Sequence, residues 1–428
     1  MEGELIIGPQ QPYKPLLCLN MIVKDEAPII GQTLEKLVQN APIDYWVICD
    51  TGSTDGTQDI IRNFFNEKGI QGELHEDEWI NFGYNRTKAL EYAFNKSNFL
   101  LVFDADDALN EKLIMPNEND DADGYSIRLM KGLNEYERIL LIKNNEKWIF
   151  RGVVHEIIQC VSKQPYLKKL NTVVHVSTTG NRNTDPQKYL KDAALLERGF
   201  YEAKEKGDDI YIRYAFYCAN SYYWGSNIEK AIEWYKKVLE LPNWVQEKYM
   251  TCMELSNIYR AQNKIEESIF YLMKSHKYDN TRAECLTRLI EYYNGEQDYQ
   301  MSYSFYRLIK DSFEKDYDNS LRFTNKLFVD TTSYYFFMPY SVIICSNHTG
   351  NHDTALKMFE VIFKMKAPII SHFHIRALFY NSTLYAKEIN ENPELLKLYN
   401  EYIEFLKGNN FKIEFDFMDR LKQLNIQL

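Results

Sequence analysis

The sequence predicts an α/β domain built on a mostly parallel sheet, followed by an all-α domain. Three observations predict it. Apolar runs of strand length end abruptly in acidic or glycine-rich turns in the first half of the chain. Long helical patterns rich in Tyr, Glu and Lys take over after about residue 185, and within them a small residue and a bulky one recur with a period near 34.

Taken in order, the first strand is Leu16 to Val23 (LLCLNMIV), which runs into Lys24, Asp25 and Glu26. The second begins at Tyr45 and passes through Asp50 into the turn DTGSTDGT. Gly52 and Gly56 permit tight backbone geometry there, and Ser53, Thr54 or Asp55 can cap a helix starting near Thr57. The third strand, from Asn98 (NFLLVFDADD), delivers Asp104, Asp106 and Asp107 to its tip. The arrangement reads as βαβαβ, and open α/β sheets bind ligands beyond the C-terminal ends of their strands. Carboxylates on alternate residues suit Mg²⁺ or Mn²⁺, which take hard oxygen ligands and leave places for water and phosphate. An EF-hand loop is excluded, because Leu109 stands at its glycine position and Met115 at its closing glutamate.

Six blocks now stand in one order: LNMIVKDE at 19–26, CDTGSTDGT at 49–57, NFGYNRTKAL at 81–90, FDADD at 103–107, WIFRGVVHE at 148–156 and VVHVSTTG at 173–180. Together they resemble the family 2 glycosyltransferases of GT-A fold, over roughly residues 15 to 195. The resemblance implies a Rossmann-like GT-A domain at 15–184, behind a tail of residues 1–14, and transfer of a sugar from a nucleotide diphosphate donor, with a UDP-linked sugar expected. It implies that Asp50 binds the base, that Glu26 walls the nucleotide pocket, and that Arg86 contacts base or diphosphate. Thr87 replaces the family's asparagine. Asp104 and Asp106 match the D-x-D pair, the first facing ribose and metal and the second binding the Mn²⁺ or Mg²⁺ that bridges the phosphates. His175 is the candidate third metal ligand. An inverting transfer needs a base, and the resemblance points to Glu156, with His155 positioning it or touching substrate; Asp107 is the rival. The competing reading of His155 and Glu156 is a strand end that pairs with Arg151. Trp148 is an acceptor platform or core.

The 428 residues exceed what one hydrophobic core organises, so a second domain is expected. A net charge of −11 argues against a nucleic-acid partner. The stretch Tyr334 to Cys345 is too short, and too interrupted by Pro339 and Ser341, to span a bilayer. The first residues show no basic segment or apolar core of a secretory signal. Seven cysteines without C-x-x-C spacing predict reduced thiols and a cytoplasmic location, which is the host cytoplasm if the Asn-, Ile-, Lys- and Tyr-rich composition reflects a large virus rather than a low-GC bacterium.

In the helical half, 185–428, Tyr222, Ala231 and Tyr235 recur as Tyr259, Ser268 and Leu272, and again as Tyr293, Ser302 and Tyr306, at separations of 37 and 34 residues. The spacing resembles tetratricopeptide (TPR) helix pairs, with a fourth unit near Ala355 and Phe359, although the consensus tryptophan is missing and Ala219, Ser256 and Ile290 replace the glycine. Stacked pairs leave a groove for a protein partner. The leading expectation is a metal-dependent, inverting glycosyltransferase acting on a glycan, lipid-linked or protein acceptor. The alternative is a repeat-based interaction scaffold whose transferase-like domain is inactive. A nucleotidyltransferase ranks below both, since VKDEAP at 23–28 lacks a glycine-rich basic loop.

Overall fold

The computed structural model describes residues 14–409, apart from 118, 133, 178, 368 and 369. All but the last residue of the predicted tail lies outside them. The chain forms two compact units that meet in sequence at Leu241 and Pro242.

The first unit begins with β1 (Leu17–Val23), α1 (Ile30–Asn40), β2 (Tyr45–Asp50), α2 (Thr57–Lys68), β3 (Gly72–Glu76), α3 (Phe82–Ala93) and β4 (Phe99–Val102). There follow β5 (Ala108–Leu109), β6 (Gly124–Lys131), β7 (Asn134–Lys143), β8 (Trp148–Arg151), β9 (Ile157–Cys160) and β10 (Leu167–His175). The main sheet runs β3-β2-β1-β4-β7-β6-β10-β5, with β8 and β9 as a separate hairpin. Its first half is parallel, β2 and β4 flanking β1, which is the arrangement expected of three consecutive βα units. The second half is mixed: β7 is antiparallel to both β4 and β6, and β6 is parallel to β10.

Burial explains the strand assignments. Every residue of β4 and all but one of β1 are buried, so both read as unbroken apolar runs. The exception in character is Asn20, whose Nδ2 donates to the Val47 carbonyl at 3.3 Å and the Ala89 carbonyl at 2.8 Å, tying β1 to β2 and α3. Trp148 is buried in the core layer with Cys18, Val47 and Phe150, and its Nε1 donates to the Lys143 carbonyl, so it is core and not an acceptor platform. The first unit closes with α4 (Lys188–Glu205), α5 (Ile210–Trp224) and α6 (Ile228–Glu240).

The second unit contains α7 (Val245–Ala261), α8 (Ile265–Tyr278), α9 (Glu284–Gly295), α10 (Tyr299–Arg307), α11 (Lys310–Asp316), α12 (Met338–Thr349), α13 (His352–Met365), α14 (His372–Ser382), α15 (Ala386–Glu391) and α16 (Pro393–Gly408). Each repeated trio straddles one helix pair: α5 with α6, α7 with α8, α9 with α10. Ala231, Ser268 and Ser302 are buried, as are Tyr235, Leu272 and Tyr306. Ser268 Oγ hydrogen-bonds Ser256 at 2.8 Å and Ser302 Oγ donates to the Ile290 carbonyl, so the small residue is where the two helices touch. Ala355 and Phe359 occupy the same buried positions on α13, opposite α12. Before α12 the chain makes one wide π-helical turn, Ser333–Phe337, which places Pro339 in the first turn, where its missing N–H costs no hydrogen bond. Among the described residues no helix is long and apolar enough to cross a membrane. All seven cysteines are free and buried.

Candidate functional site

The turns after β1 and β2 are laced together by short side chains. Asp25 accepts the Thr54 amide at 2.7 Å and its own amide donates to Ser53 Oγ at 2.8 Å, while the Glu26 amide donates to Thr57 Oγ1 at 2.8 Å. Asp55 accepts the Ala27 and Thr57 amides. The residue before α2 is Gly56 at φ +91°, so Asp55 caps from one position further out. This explains why the sequence needs so many Ser, Thr and Asp residues there: most fasten backbone.

Asp50 is buried at the tip of β2. Its Oδ1 accepts the Gly52 and Ser53 amides at 2.9 and 2.8 Å and the Gln58 side chain at 3.1 Å, whereas its buried Oδ2 has no partner among the described residues. A buried carboxylate oxygen left unpaired is costly unless a ligand meets it.

At the tip of β4 the chain turns tightly, the Asp107 amide donating to the Asp104 carbonyl at 3.2 Å, and α1 braces the turn through Thr33 Oγ1 to the Ala105 carbonyl at 2.7 Å. The Asp104 carboxylate is gripped by two arginines, Arg86 from α3 and Arg138 from β7, the latter at 3.2 Å. Both guanidinium groups hold its carboxyl well below the usual carboxylate range, against the effect of burial. Arg86 is itself buried, and its Nε lies 2.7 Å from Glu156 Oε1, so one guanidinium joins the D-x-D turn to the HE segment.

The remaining acids crowd without such compensation. Burial, then Asp104, raises the Asp106 carboxyl; burial, then Asp104 and Asp106, pushes Asp107 up to about 8. Burial, with Asp106 among the neighbouring charges, pushes Glu26 up to about 7. Among the described residues no Lys or Arg forms an ion pair with Asp106 or Asp107. A turn at 180–184 closes over this group: a Cβ on Gly180 would fall 2.8 Å from Asp106 Oδ2, the Asn181 amide donates to Glu26 Oε2 at 3.3 Å, and Asn183 Nδ2 reaches Asp106 Oδ2 at 3.5 Å. Glu26, Asp104, Asp106 and Asp107 thus share one cluster, and Arg86 links it to Glu156. His175 stands opposite Ala108 in the β10–β5 ladder, one residue past Asp107, with its side chain exposed. Among the described residues no three His, Cys, Asp or Glu side chains form a ready-made set of metal ligands.

The HE pair is not a strand end. It closes the turn 152–156 between β8 and β9. The turn packs on the start of α3, where Gly83 donates its amide to the Gly152 carbonyl at 3.0 Å; a Cβ at Gly83 would fall 2.3 Å from that oxygen, so only glycine fits. Arg151, the expected partner of the pair, ion-pairs instead with Asp208 and Asp209 ahead of α5. Thr87 exchanges hydrogen bonds with both the amide and the carbonyl of Phe150, so the residue that departs from the family pattern fastens β8 to α3. His155 has φ +54° and packs its ring on Tyr217 at 4.3 Å; burial and nearby arginines hold its imidazole neutral, down to about 3. Arg138 and the 180–184 turn were not indicated by the motifs. The signal for Arg138 was the alternation of Tyr136, Arg138 and Leu140 along a strand.

Residues 18–163 match the family model described as glycosyl transferase family 2. No curated protein matches the chain. Among solved structures, the chain is similar to the mannosyltransferase PcManGT of Pyrobaculum calidifontis in complex with GDP-Man and Mn²⁺, at 12% identity and a TM-score of 0.32, covering 64% of this chain and 90% of that one. It is similar also to BtubC (BKLC) of P. vanneervenii, at 13% identity and TM-score 0.35 over 53% and 94% of the two chains. A third is S. aureus TarS 1-349 in complex with UDP, at 12% identity and TM-score 0.29 over 62% and 92%. Five of the six ordered blocks and the acids at the strand tips lie within residues 18–163, and those residues form a glycosyltransferase family 2 domain.

Proposed function

We propose that the protein is a divalent-cation-dependent, inverting glycosyltransferase that moves a sugar from a nucleotide diphosphate sugar to a glycan, lipid-linked or protein acceptor. The observation that carries this reading is the cluster of Glu26, Asp104, Asp106 and Asp107 at the tips of β1 and β4, with raised carboxyls on three of them. Such crowding of hard oxygen donors fits Mn²⁺ or Mg²⁺. Asp104 and Asp106 would hold the cation, joined by His175 from its place opposite Ala108. When bound, the cation neutralises the charge that grows on the β-phosphate oxygen as the nucleotide diphosphate departs.

The chain's own residues do the rest. Asp50 presents its unpartnered Oδ2 to an N–H of the base, and Glu26 closes the same pocket. Arg86 and Arg138 keep Asp104 ionised and in place, and their charge faces the diphosphate. Glu156 takes the proton of the acceptor nucleophile, whose atom bonds the anomeric carbon opposite the departing oxygen; the electron pair of the broken bond leaves on the nucleotide diphosphate. In the free protein Glu156 rests against Arg86. A second reading gives the proton to Asp107, whose buried carboxyl is pushed up to about 8. Helix pairs with touching small residues support the TPR-like reading of the second unit, as a surface for acceptor or partner.

The test is release of nucleotide diphosphate from a panel of nucleotide sugars with Mn²⁺ or Mg²⁺, including UDP-linked donors. Asp106→Ala is expected to lower kcat about 10²-fold or more; undiminished turnover would exclude the proposed centre. Glu156→Gln and Asp107→Asn compared side by side identify the proton acceptor.

A further inference from the structure

The turn 152–156 is held from two sides, by α3 and by a later helix. Its first half is fastened to α3, since the Phe82 amide donates to the Val153 carbonyl at 3.2 Å and the Gly83 amide to the Gly152 carbonyl at 3.0 Å. Its second half has no such backbone support from α3. It is fastened to α5, which lies some fifty residues later and beyond the part of the chain that matches the family model.

Three residues within two turns of α5 hold the turn, Tyr214 at Val153 and Arg213 with Tyr217 at His155 in the second half. Tyr214 Oη accepts the Val153 amide at 3.1 Å. Arg213 donates from Nε to the His155 carbonyl at 3.0 Å and from a terminal nitrogen to Tyr217 Oη at 3.0 Å. The Tyr217 ring stacks on the His155 ring with centroids 4.3 Å apart, and the Arg213 guanidinium lies 4.5 Å from the same tyrosine ring. His155 needs this grip because its backbone is left-handed, a conformation that a non-glycine residue keeps only where its surroundings enforce it. Glu156 follows directly, with its carboxylate on Arg86.

We propose that α5 is a positioning element for the reaction: Tyr217 and Arg213 fix His155 in its left-handed conformation and thereby aim Glu156 into the acid cluster. The catalytic meaning rests on the reading of the site given above, whereas the mechanical part stands independently of it. Tyr217 and Arg213 act through His155, so their loss should move Glu156 without altering the pocket around Asp50.

The experiment pairs two readouts on the full-length protein for Tyr217→Leu, Arg213→Gln and the conservative Tyr217→Phe. Hydrogen exchange is followed in peptides covering 150–158 and, as a control, in peptides from β1, β2 and β4. Turnover is followed as kcat and donor KM. Expected for Tyr217→Leu and Arg213→Gln is exchange at 154–157 faster by about tenfold or more with unchanged control peptides, a kcat lower by about tenfold or more, and a donor KM within about threefold. Tyr217→Phe keeps the stacked ring and is expected to stay within about threefold on every readout. Unaltered protection of 154–157 in both disruptive variants overturns the proposal. Faster exchange with unaltered kcat overturns its catalytic half. If the wild-type protein releases no nucleotide diphosphate from any donor while the exchange responds as expected, the transferase reading fails and the positioning of the turn by α5 stands. If Tyr217→Leu does not fold, Arg213→Gln against Tyr217→Phe decides by the same measures.

Discussion

At the scale of single residues, Arg86 ties the most together. Its guanidinium is buried and serves Asp104 and Glu156 at once. Arg86→Leu would leave Glu156 buried without a partner and Asp104 with Arg138 alone, and breaking a buried pair from one side costs about 3 kcal/mol or more. Urea denaturation should show that loss, together with abolished turnover. His155 gives a pH signature. Its imidazole titrates near 6.5 in the unfolded chain and near 3 in the folded one, so between these values the unfolded state binds more protons. Its contribution is therefore complete above pH 6.5 and is lost as pH falls toward 3. Glu26, raised to about 7, and Asp107, raised to about 8, have the opposite slope across this range, so the His155 contribution must be isolated by substitution. The change in unfolding midpoint on going from pH 5 to pH 7 should be less positive in His155→Gln than in the wild type.

At the scale of elements, the strand tips were readable because a strand buried on both faces must be apolar throughout, so a carboxylate marks the place where the chain leaves the core. Asp50, Asp104 and Asp106 are where such runs end, and the parallel order β2-β1-β4 follows from the short βα units between them. The acids at the tips of β1 and β4 were readable on the same grounds. What holds Asp104 was not. Arg138 comes from β7, a strand with charged residues along it and antiparallel neighbours, so it shows neither an unbroken apolar run nor a motif. The partner of Arg151 is likewise a tertiary fact: Asp208 and Asp209 lie more than fifty residues away and no spacing rule connects them. The low amphipathicity of α3 has the same origin, since its inner face carries Asn85, which fastens the backbone of 78–81, and Arg86 for the site, beside Ala89, Leu90 and Ala93 for the core. Gly83 on that helix makes a direct test. In Gly83→Ala the new methyl would meet a backbone carbonyl, so the turn 152–156 must move; overpacking of this kind costs about 1–3 kcal/mol, measurable by denaturant titration, and turnover should fall with it.

At the scale of the whole molecule, composition changes where β10 gives way to α4, yet the compact unit extends to Leu241. The reason is that α4 and α5 brace the HE turn: Gly199 of α4 leaves room for Tyr214 and Val153, and Arg151 pairs ahead of α5. A fragment ending at residue 241 is therefore expected to unfold cooperatively by circular dichroism, whereas one ending at 184 should lose cooperativity and bind no nucleotide diphosphate.

The seven buried sulfhydryls lie on both sides of that division, Cys18, Cys49, Cys160 and Cys218 in the first unit and Cys252, Cys285 and Cys345 in the second. An alkylating reagent reaches them only when the surrounding packing opens, and burial also disfavours the reactive thiolate at Cys18, Cys49, Cys218, Cys252, Cys285 and Cys345. Peptide-resolved alkylation kinetics would thus act as two independent clocks within one polypeptide, timing how often each half of the molecule breathes without any label being introduced.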